Sequence, residues 1–173
     1  MISTMQDCPL TIGEIMRHGA TVYGASEVVT FQGDKSRRST FAQVEFRARK
    51  LAQALERLGV GPGDRVGTFM WNDQEHLEAY FAVPCMGAVL HTLNIRLFPE
   101  QLLYVIDHAE DDVIVVDDSL VPLLAKVAGD LKKRPKFILV GEGDGSALGE
   151  TLAYEDLLAA ESGDYAWPEI DEN

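Results

Sequence analysis

The chain has 173 residues, of which 46% are apolar, so its length and composition favour one folded domain or one lobe of a larger protein over a disordered chain. Its formal net charge of −13 comes from 28 acidic and 15 basic residues, and the segment 137–173 contains ten acids and no Lys or Arg. This excess of negative charge argues against a nucleic-acid-binding protein and against broad docking on anionic lipid.

Neither the cysteines nor the histidines show the spacing of a metal site or of a disulfide framework. Cys8 and Cys85 stand in unrelated contexts, and the four histidines are far apart, so we predict no metal site. The N-terminus does not join a basic segment to an apolar run, and we expect a cytoplasmic chain. The apolar run 79–90 is half the length of a membrane span and contains Pro84, so no transmembrane segment is predicted.

The first quarter of the chain predicts a helix, a hairpin and a second helix. Residues 11–20 have helical periodicity, and residues 27–32 and 37–40 flank a turn, which predicts a short antiparallel hairpin. Thr40 and Gln43 form a capping box, and Gly59 is placed to end the helix that follows. The apolar stripe of that helix consists of Val44, Ala48, Leu51, Leu55 and Leu58.

From residue 61 onward, predicted strands alternate with predicted helices. The strands are expected at 65–70, 88–93, 113–116 and 137–140, and each is apolar on both faces. The helices are expected from a cap at Asn72 to about Met86, from 98–100 onward, from a cap at Asp118 or Ser119 to about Leu131, and at 154–161. This alternation predicts an α/β fold with an open, mainly parallel sheet, flavodoxin-like and covered by helices on both faces.

The segment 141–145 has three glycines after a predicted strand, but it does not match a dinucleotide-binding turn. The glycine spacing differs from that fingerprint, no helix follows directly, and Glu142 and Asp144 would repel a pyrophosphate. We interpret 141–149 as a solvated loop. Judged from its residues alone, the chain is an α/β domain without an assigned function.

Several stretches resemble the adenylate-forming acyl-CoA ligases, and together they cover nearly the whole chain. The order and spacing of the stretches carry the resemblance, which is closest to the medium- and long-chain fatty-acid ligases. The stretches are TFAQV (40–44), RARKLA (47–52), LGVGPGDRV (58–66), AYFAV (79–83), MGAVLHTLNIRL (86–97), QLLYVI (101–106) and YAWPEIDEN (165–173).

The resemblance implies an enzyme that uses ATP, Mg²⁺ and coenzyme A to convert a fatty acid through an acyl-adenylate into a thioester. It also implies that residues 1–173 form the N-terminal α/β subdomain, ending before the phosphate-binding loop of the family. The catalytic groups of the family come after the position of Asn173, so no catalytic residue is assigned. We therefore expect this part alone to be inactive and to bind none of these cofactors.

One binding residue follows from the resemblance. In some family members the arginine of the Asn-x-Arg-Leu stretch contacts a phosphate of the coenzyme A nucleotide, and that position is Arg96. An ion pair between Arg96 and Glu100 at helical spacing is an equally open interpretation. Asn94 is expected to form a turn, and Arg47, Arg49 and Lys50 are expected to form the solvated face of their helix.

Two other functions stay open at this point. One is an aryl or aryl-propenoate CoA ligase, because residues beyond this chain build most of the acyl pocket in the resembling family. The other is a nucleotide- or partner-binding α/β module that stands alone. We also expect a homo-oligomer, because a lobe without its neighbour exposes apolar surface.

Overall fold

A helix and a two-stranded hairpin open the fold in the computed structural model, which describes residues 9–171. Helix α1 is Ile12–Val22, and the hydroxyl of Thr11 caps it by accepting the N–H of Glu14 at 3.4 Å. Strands β1 (Glu27–Phe31) and β2 (Ser36–Thr40) pair antiparallel, with Val29 opposite Arg38. The predicted hairpin is therefore confirmed, within one residue at each end.

Helix α2 (Phe41–Arg57) follows the hairpin directly, and its start is the predicted capping box. The N–H of Gln43 donates to the Thr40 hydroxyl at 3.2 Å, and the N–H of Thr40 donates to the Gln43 side chain at 2.8 Å. Four members of the predicted stripe, Val44, Ala48, Leu51 and Leu55, are fully buried. Gly59 follows the helix at φ +93°, a conformation that favours glycine.

The remaining strands are β3 (Arg65–Phe69), β4 (Val89–Thr92), β5 (Val113–Asp117), β6 (Lys136–Val140) and β7 (Thr151–Ala153). They form one parallel sheet in the order β4-β3-β5-β6-β7. This is the flavodoxin-like order 2-1-3-4-5, counted from β3, and it confirms the predicted open α/β fold. Strands β3, β5 and β6 are buried on both faces, as continuous apolar runs require.

Helices cover both faces of this sheet and create two apolar cores. The four later helices are α3 (Gln74–Cys85), α4 (Pro99–Ala109), α5 (Val121–Ala128) and α6 (Tyr154–Ala159). One core joins α1, α2, α3 and α6 to residues such as Val115 and Ile138, and the other joins α4 and α5 to residues such as Ile114 and Phe137. The result is a three-layer sandwich with the sheet in the middle.

Some predicted boundaries are wrong for local reasons. The cap of α3 is Asp73 and not Asn72, because the Asp73 carboxylate accepts the N–H of His76 at 2.9 Å. Residues 118–120 form a 3-10 turn capped by Asp117, so α5 starts at Val121. Gly129 follows that helix, which ends before Leu131. Strand β7 was not predicted, since three residues after a glycine-rich loop give too short a pattern.

Candidate functional site

The carboxyl ends of β3 and β5 meet at the point where the chain reverses its direction across the sheet. From β3 the chain moves outward to β4 and then crosses back to β5, and ligands of open α/β sheets bind at such a switch point. Here the indole N–H of Trp71 donates to the Ser119 hydroxyl at 2.9 Å, which in turn donates to Asp117 at 2.5 Å. These two consecutive hydrogen bonds join the ends of the two strands.

A cleft of about 590 Å³ lies beside these bonds, between the hairpin and the carboxyl ends of β3, β5, β6 and β7. Its charged lining is strongly acidic, and Arg37 is the one cation among the lining residues. Burial, followed by the neighbouring Glu75 and Asp117, raises the pKa of Asp73 to about 6. The carboxylates that line the cleft are Asp73, Glu75, Asp117, Glu142, Glu155 and Asp156. Such a lining opposes the binding of a polyphosphate.

Beneath the cleft, the carboxylate of Glu78 is fully buried, and both of its oxygens accept hydrogen bonds. It accepts bonds from Arg47 Nε at 2.6 Å, from Gln74 Nε2 at 2.7 Å and from the Tyr154 hydroxyl at 2.7 Å. Burial raises the pKa of Glu78, and the bond and charge of Arg47 oppose that rise. The guanidinium of Arg47 also donates two hydrogen bonds to the carboxylate of Glu155, at 2.6 and 3.0 Å. The network therefore connects α2, α3 and α6.

The prediction that Arg47 belongs to a solvated face is therefore wrong. Its side chain is only 25% exposed, because α3 and α6 pack over that side of α2. Arg47 is three residues after Val44 and four residues before Leu51, so helical spacing places it at the edge of the buried stripe, and this is the signal that could have found it. Arg49 does lie near the surface, in an ion pair with Glu45, and Lys50 lies over the ring of Phe46 at 5.2 Å.

A second arginine joins the hairpin to helix α3. Arg37 in β2 holds the carboxylate of Glu75 with two bonds, at 2.7 and 2.5 Å. The side chain of Glu75 is only 6% exposed, so this contact satisfies a charge that burial would otherwise penalise. Residue types alone did not indicate this pair, which joins positions 38 residues apart.

Arg96 lies in the turn that joins β4 to α4, at the same edge of the sheet as the cleft. Its backbone N–H donates to the side-chain oxygen of Asn94 at 2.9 Å, which confirms the prediction that Asn94 forms a turn. The Arg96 side chain is exposed, and within residues 9–171 it makes no ion pair with Glu100 or another acid. The hydrogen bond to Asn94 thus fixes the backbone of the turn, and the Arg96 side chain lies at the surface.

The thiol of Cys85 is buried, and the imidazoles of His76 and His91 are hydrogen-bonded within the fold. Burial raises the pKa of the Cys85 thiol to about 12, which makes that thiol a poor nucleophile, and Cys8 lies outside the described residues. His91 bonds the buried carboxylate of Asp111 at 2.9 Å, and His76 bonds Thr68 at 3.0 Å. Between residues 9 and 171, no group of three or more His, Cys, Asp or Glu side chains is placed to hold a metal ion.

These features define an open α/β fold with a cleft at the carboxyl ends of its strands. The family model described as "AMP-binding enzyme" matches residues 16–171. The chain belongs to this family. In the described part of the chain, no helix has the length and apolar character needed to cross a membrane.

Similar proteins agree with this assignment. Over 100% of its length the chain is 43% identical to the medium-chain-fatty-acid–CoA ligase of Ectopseudomonas oleovorans, and it covers 32% of that protein. It is 44% identical to the long-chain-fatty-acid–CoA ligase of Thermus thermophilus, with 96% of this chain and 30% of that protein covered. The chain therefore spans about a third of the length of these relatives.

A solved structure has the same fold. The structure of the anthranilate CoA ligase AuaEII in complex with anthranoyl-AMP superposes with a TM-score of 0.81 at 23% identity. That superposition covers 97% of this chain and 31% of the ligase. At this identity the likeness shows the shared fold.

Proposed function

We propose that residues 1–173 are the N-terminal α/β subdomain of an ATP-dependent fatty acyl-CoA ligase. The observation that carries this proposal is the identity of 43–44% to a medium-chain and a long-chain ligase over nearly the whole chain. The proposed substrate is a fatty acid because both relatives are fatty-acid–CoA ligases. The complete enzyme is proposed to use ATP, Mg²⁺ and coenzyme A, and to form a homo-oligomer, whereas a cytoplasmic location stays a prediction from the sequence.

The proposed reaction has two steps. The fatty-acid carboxylate attacks the α-phosphorus of ATP, so that an acyl-adenylate forms and pyrophosphate leaves. The coenzyme A sulfur then attacks the acyl carbon, a thioester forms, and AMP leaves with the electron pair of the broken bond. Adenylation is needed because AMP is a far better leaving group than the oxide of a free carboxylate.

This chain is proposed to contribute the scaffold and one contact to coenzyme A. Arg96 is exposed, has no acidic partner in the described chain, and stands beyond the carboxyl end of β4. A guanidinium in such a place can hold a phosphate with two parallel bonds. The acidic cleft repels a polyphosphate, so the residues that hold ATP are proposed to come from outside this chain.

The test is a substrate series on the full-length enzyme that contains this chain. Carboxylate-dependent exchange of pyrophosphate into ATP is measured with saturated fatty acids of increasing length, and with benzoate and cinnamate. The proposal predicts exchange and thioester formation with medium or long aliphatic chains. Preference for the aromatic acids would replace it with an aryl-CoA ligase, and no exchange with any carboxylate would overturn the enzyme assignment.

A further inference from the structure

After α6 the chain runs along α2 as an extended segment, here termed the strap (residues 161–167). Burial alternates along the strap. The odd-numbered residues 161, 163, 165 and 167 are buried or half-buried, and the even-numbered residues between them are exposed. This period of two is the pattern of a β-strand. Within residues 9–171, however, no strand pairs with the strap.

The side chain of Gln53 in α2 takes the place of a partner strand. Its amide oxygen accepts the N–H of Gly163 at 2.8 Å, and its NH2 group donates to the carbonyl of Asp164 at 3.2 Å. One side-chain amide thus offers the backbone of the strap both an acceptor and a donor, as a neighbouring peptide group would.

The other contacts of the strap are made by side chains as well. At its start Glu161 forms an ion pair with Arg57 of α2 at 2.6 Å. At its end the rings of Tyr165 and Trp167 lie 5.0 Å apart and pack against the core. Gly163 has φ +80°, and a Cβ at this position would lie 2.5 Å from the ring of Phe46.

An element that is held mainly by side chains opens at a lower free energy than the hydrogen-bonded strands of a core sheet. Beyond Trp167 the chain forms one wall of a groove of about 1190 Å³, and the buried Cys85 lines the same groove. Release of the strap would therefore uncover Cys85.

We propose that the strap opens and closes as one unit while the sheet stays folded, and that Gln53 controls this opening. In the open state Tyr165 and Trp167 leave the core, and the groove that holds Cys85 becomes accessible from the strap side. The inference concerns only contacts within this chain and goes beyond the proposed function.

The test measures hydrogen exchange and thiol alkylation by mass spectrometry in the full-length enzyme that contains this chain. Gln53→Met removes both hydrogen bonds to the strap and keeps a side chain of similar length. Exchange in peptides that cover 163–166 should become roughly fivefold faster or more. Alkylation of Cys85 by N-ethylmaleimide should accelerate by a similar factor, whereas exchange in β5 should not change.

Two further variants act on the same contact. Gln53→Glu keeps an oxygen for the N–H of Gly163 but loses the donor to Asp164, so it should recover part of the protection. Gly163→Ala loosens the strap from its own side, because the added Cβ meets the ring of Phe46. It should accelerate the alkylation of Cys85 as Gln53→Met does.

The matched control is Gln101→Met. It also removes a glutamine oxygen that accepts a backbone N–H, that of Phe98 at 3.2 Å, but it lies on α4 in the opposite layer. This control should leave both readouts of the strap unchanged.

Three results would overturn the inference. Unchanged exchange at 163–166 in Gln53→Met would show that Gln53 does not control the strap. Faster exchange there without faster alkylation of Cys85 would show that the strap does not open as one unit. Equal acceleration in β5 would show that the whole fold opens. None of these readouts needs a substrate, so they are independent of the proposed function.

Discussion

The guanidinium of Arg47 lies 2.6 Å from the carboxylate of Glu78, whose side chain has no exposed surface. The two residues are 31 positions apart, on α2 and α3, and the hydroxyl of Tyr154 completes the contact from α6. Three helices on one face of the sheet are thereby joined through a single buried charge.

Removing Arg47 should destabilise the fold strongly. In Arg47→Met the buried carboxylate of Glu78 loses its cation, and breaking one side of a buried pair costs about 3–5 kcal/mol. The measurement is the free energy of unfolding from urea titration. The matched control is Arg49→Met, two residues further on, whose pair with Glu45 follows helical i,i+4 spacing and should cost about 0.5 kcal/mol. Equal losses in both variants would contradict the account.

The carboxyl of Asp73 should make stability fall as pH rises between about 4 and 6. Its pKa is about 6 in the fold against an ordinary 3.8, so in this range the folded chain binds more protons than the unfolded chain. Asp73→Asn keeps an oxygen that can accept the N–H of His76 and removes the titration.

At pH 7 Asp73→Asn should be more stable than the wild type by on the order of 1 kcal/mol, after a discount for solvent screening. At pH 4 the difference should be smaller. Urea titration at both pH values measures this difference. An advantage of Asp73→Asn over the wild type that is larger at pH 4 than at pH 7 would contradict the prediction.

Much of the fold can be predicted from the sequence because its signals are local. The capping box of Thr40 and Gln43 and the apolar runs that became β3, β5 and β6 are short patterns with one physical interpretation. The contacts of Arg47 and Arg37 are not local. Their partners come from other elements, and only the packing of those elements decides which charged side chain is buried.

The candidate site could be predicted from the sequence only in part. Polar residues directly after buried strands, such as Asp117 and Ser119, mark the binding edge of a parallel sheet and could have been selected on that ground. Their bond to Trp71 depends on β3 and β5 being neighbours, although β4 lies between them in sequence. The flavodoxin-like strand order could be predicted, but tertiary packing decides which side chains bond across the two strand ends, so this contact had no signal in the sequence.

The chain of 173 residues should bind ATP weakly or not at all. The cleft at its binding edge has six carboxylates and one guanidinium in its lining, which repels a triphosphate at neutral pH. Isothermal titration of ATP into the chain at low ionic strength measures this. Micromolar affinity would contradict the account and would favour a nucleotide-binding module.

The chain should also self-associate through α1. Ile12, Ile15 and Val22 lie on one side of this helix and are 42%, 52% and 59% exposed, which leaves an apolar stripe in solvent. Sedimentation over a range of concentrations should show association that Ile15→Gln weakens. The matched control is Leu123→Gln on the opposite layer, where an apolar side chain is 41% exposed. A wild-type chain that stays monomeric at high concentration would count against this prediction.

Steady-state kinetics of Arg96→Ala in the full-length enzyme test whether Arg96 binds coenzyme A. Loss of a hydrogen bond to a charged group costs about 1.5–3 kcal/mol, so the KM for coenzyme A should rise roughly ten- to a hundredfold. Arg96→Lys should recover part of the loss, because an ammonium cannot form the two parallel bonds of a guanidinium. Arg38→Ala, which removes an exposed arginine of the hairpin, is the control.

The same variant is measured for carboxylate-dependent exchange of pyrophosphate into ATP, which does not involve coenzyme A. Exchange in Arg96→Ala should stay near the wild-type rate, while thioester formation at low coenzyme A should fall. Exchange that collapses together with thioester formation would contradict it, because Arg96 would then support the adenylation step or the fold. An unchanged KM for coenzyme A would contradict it as well, because Arg96 would then be an ordinary surface arginine.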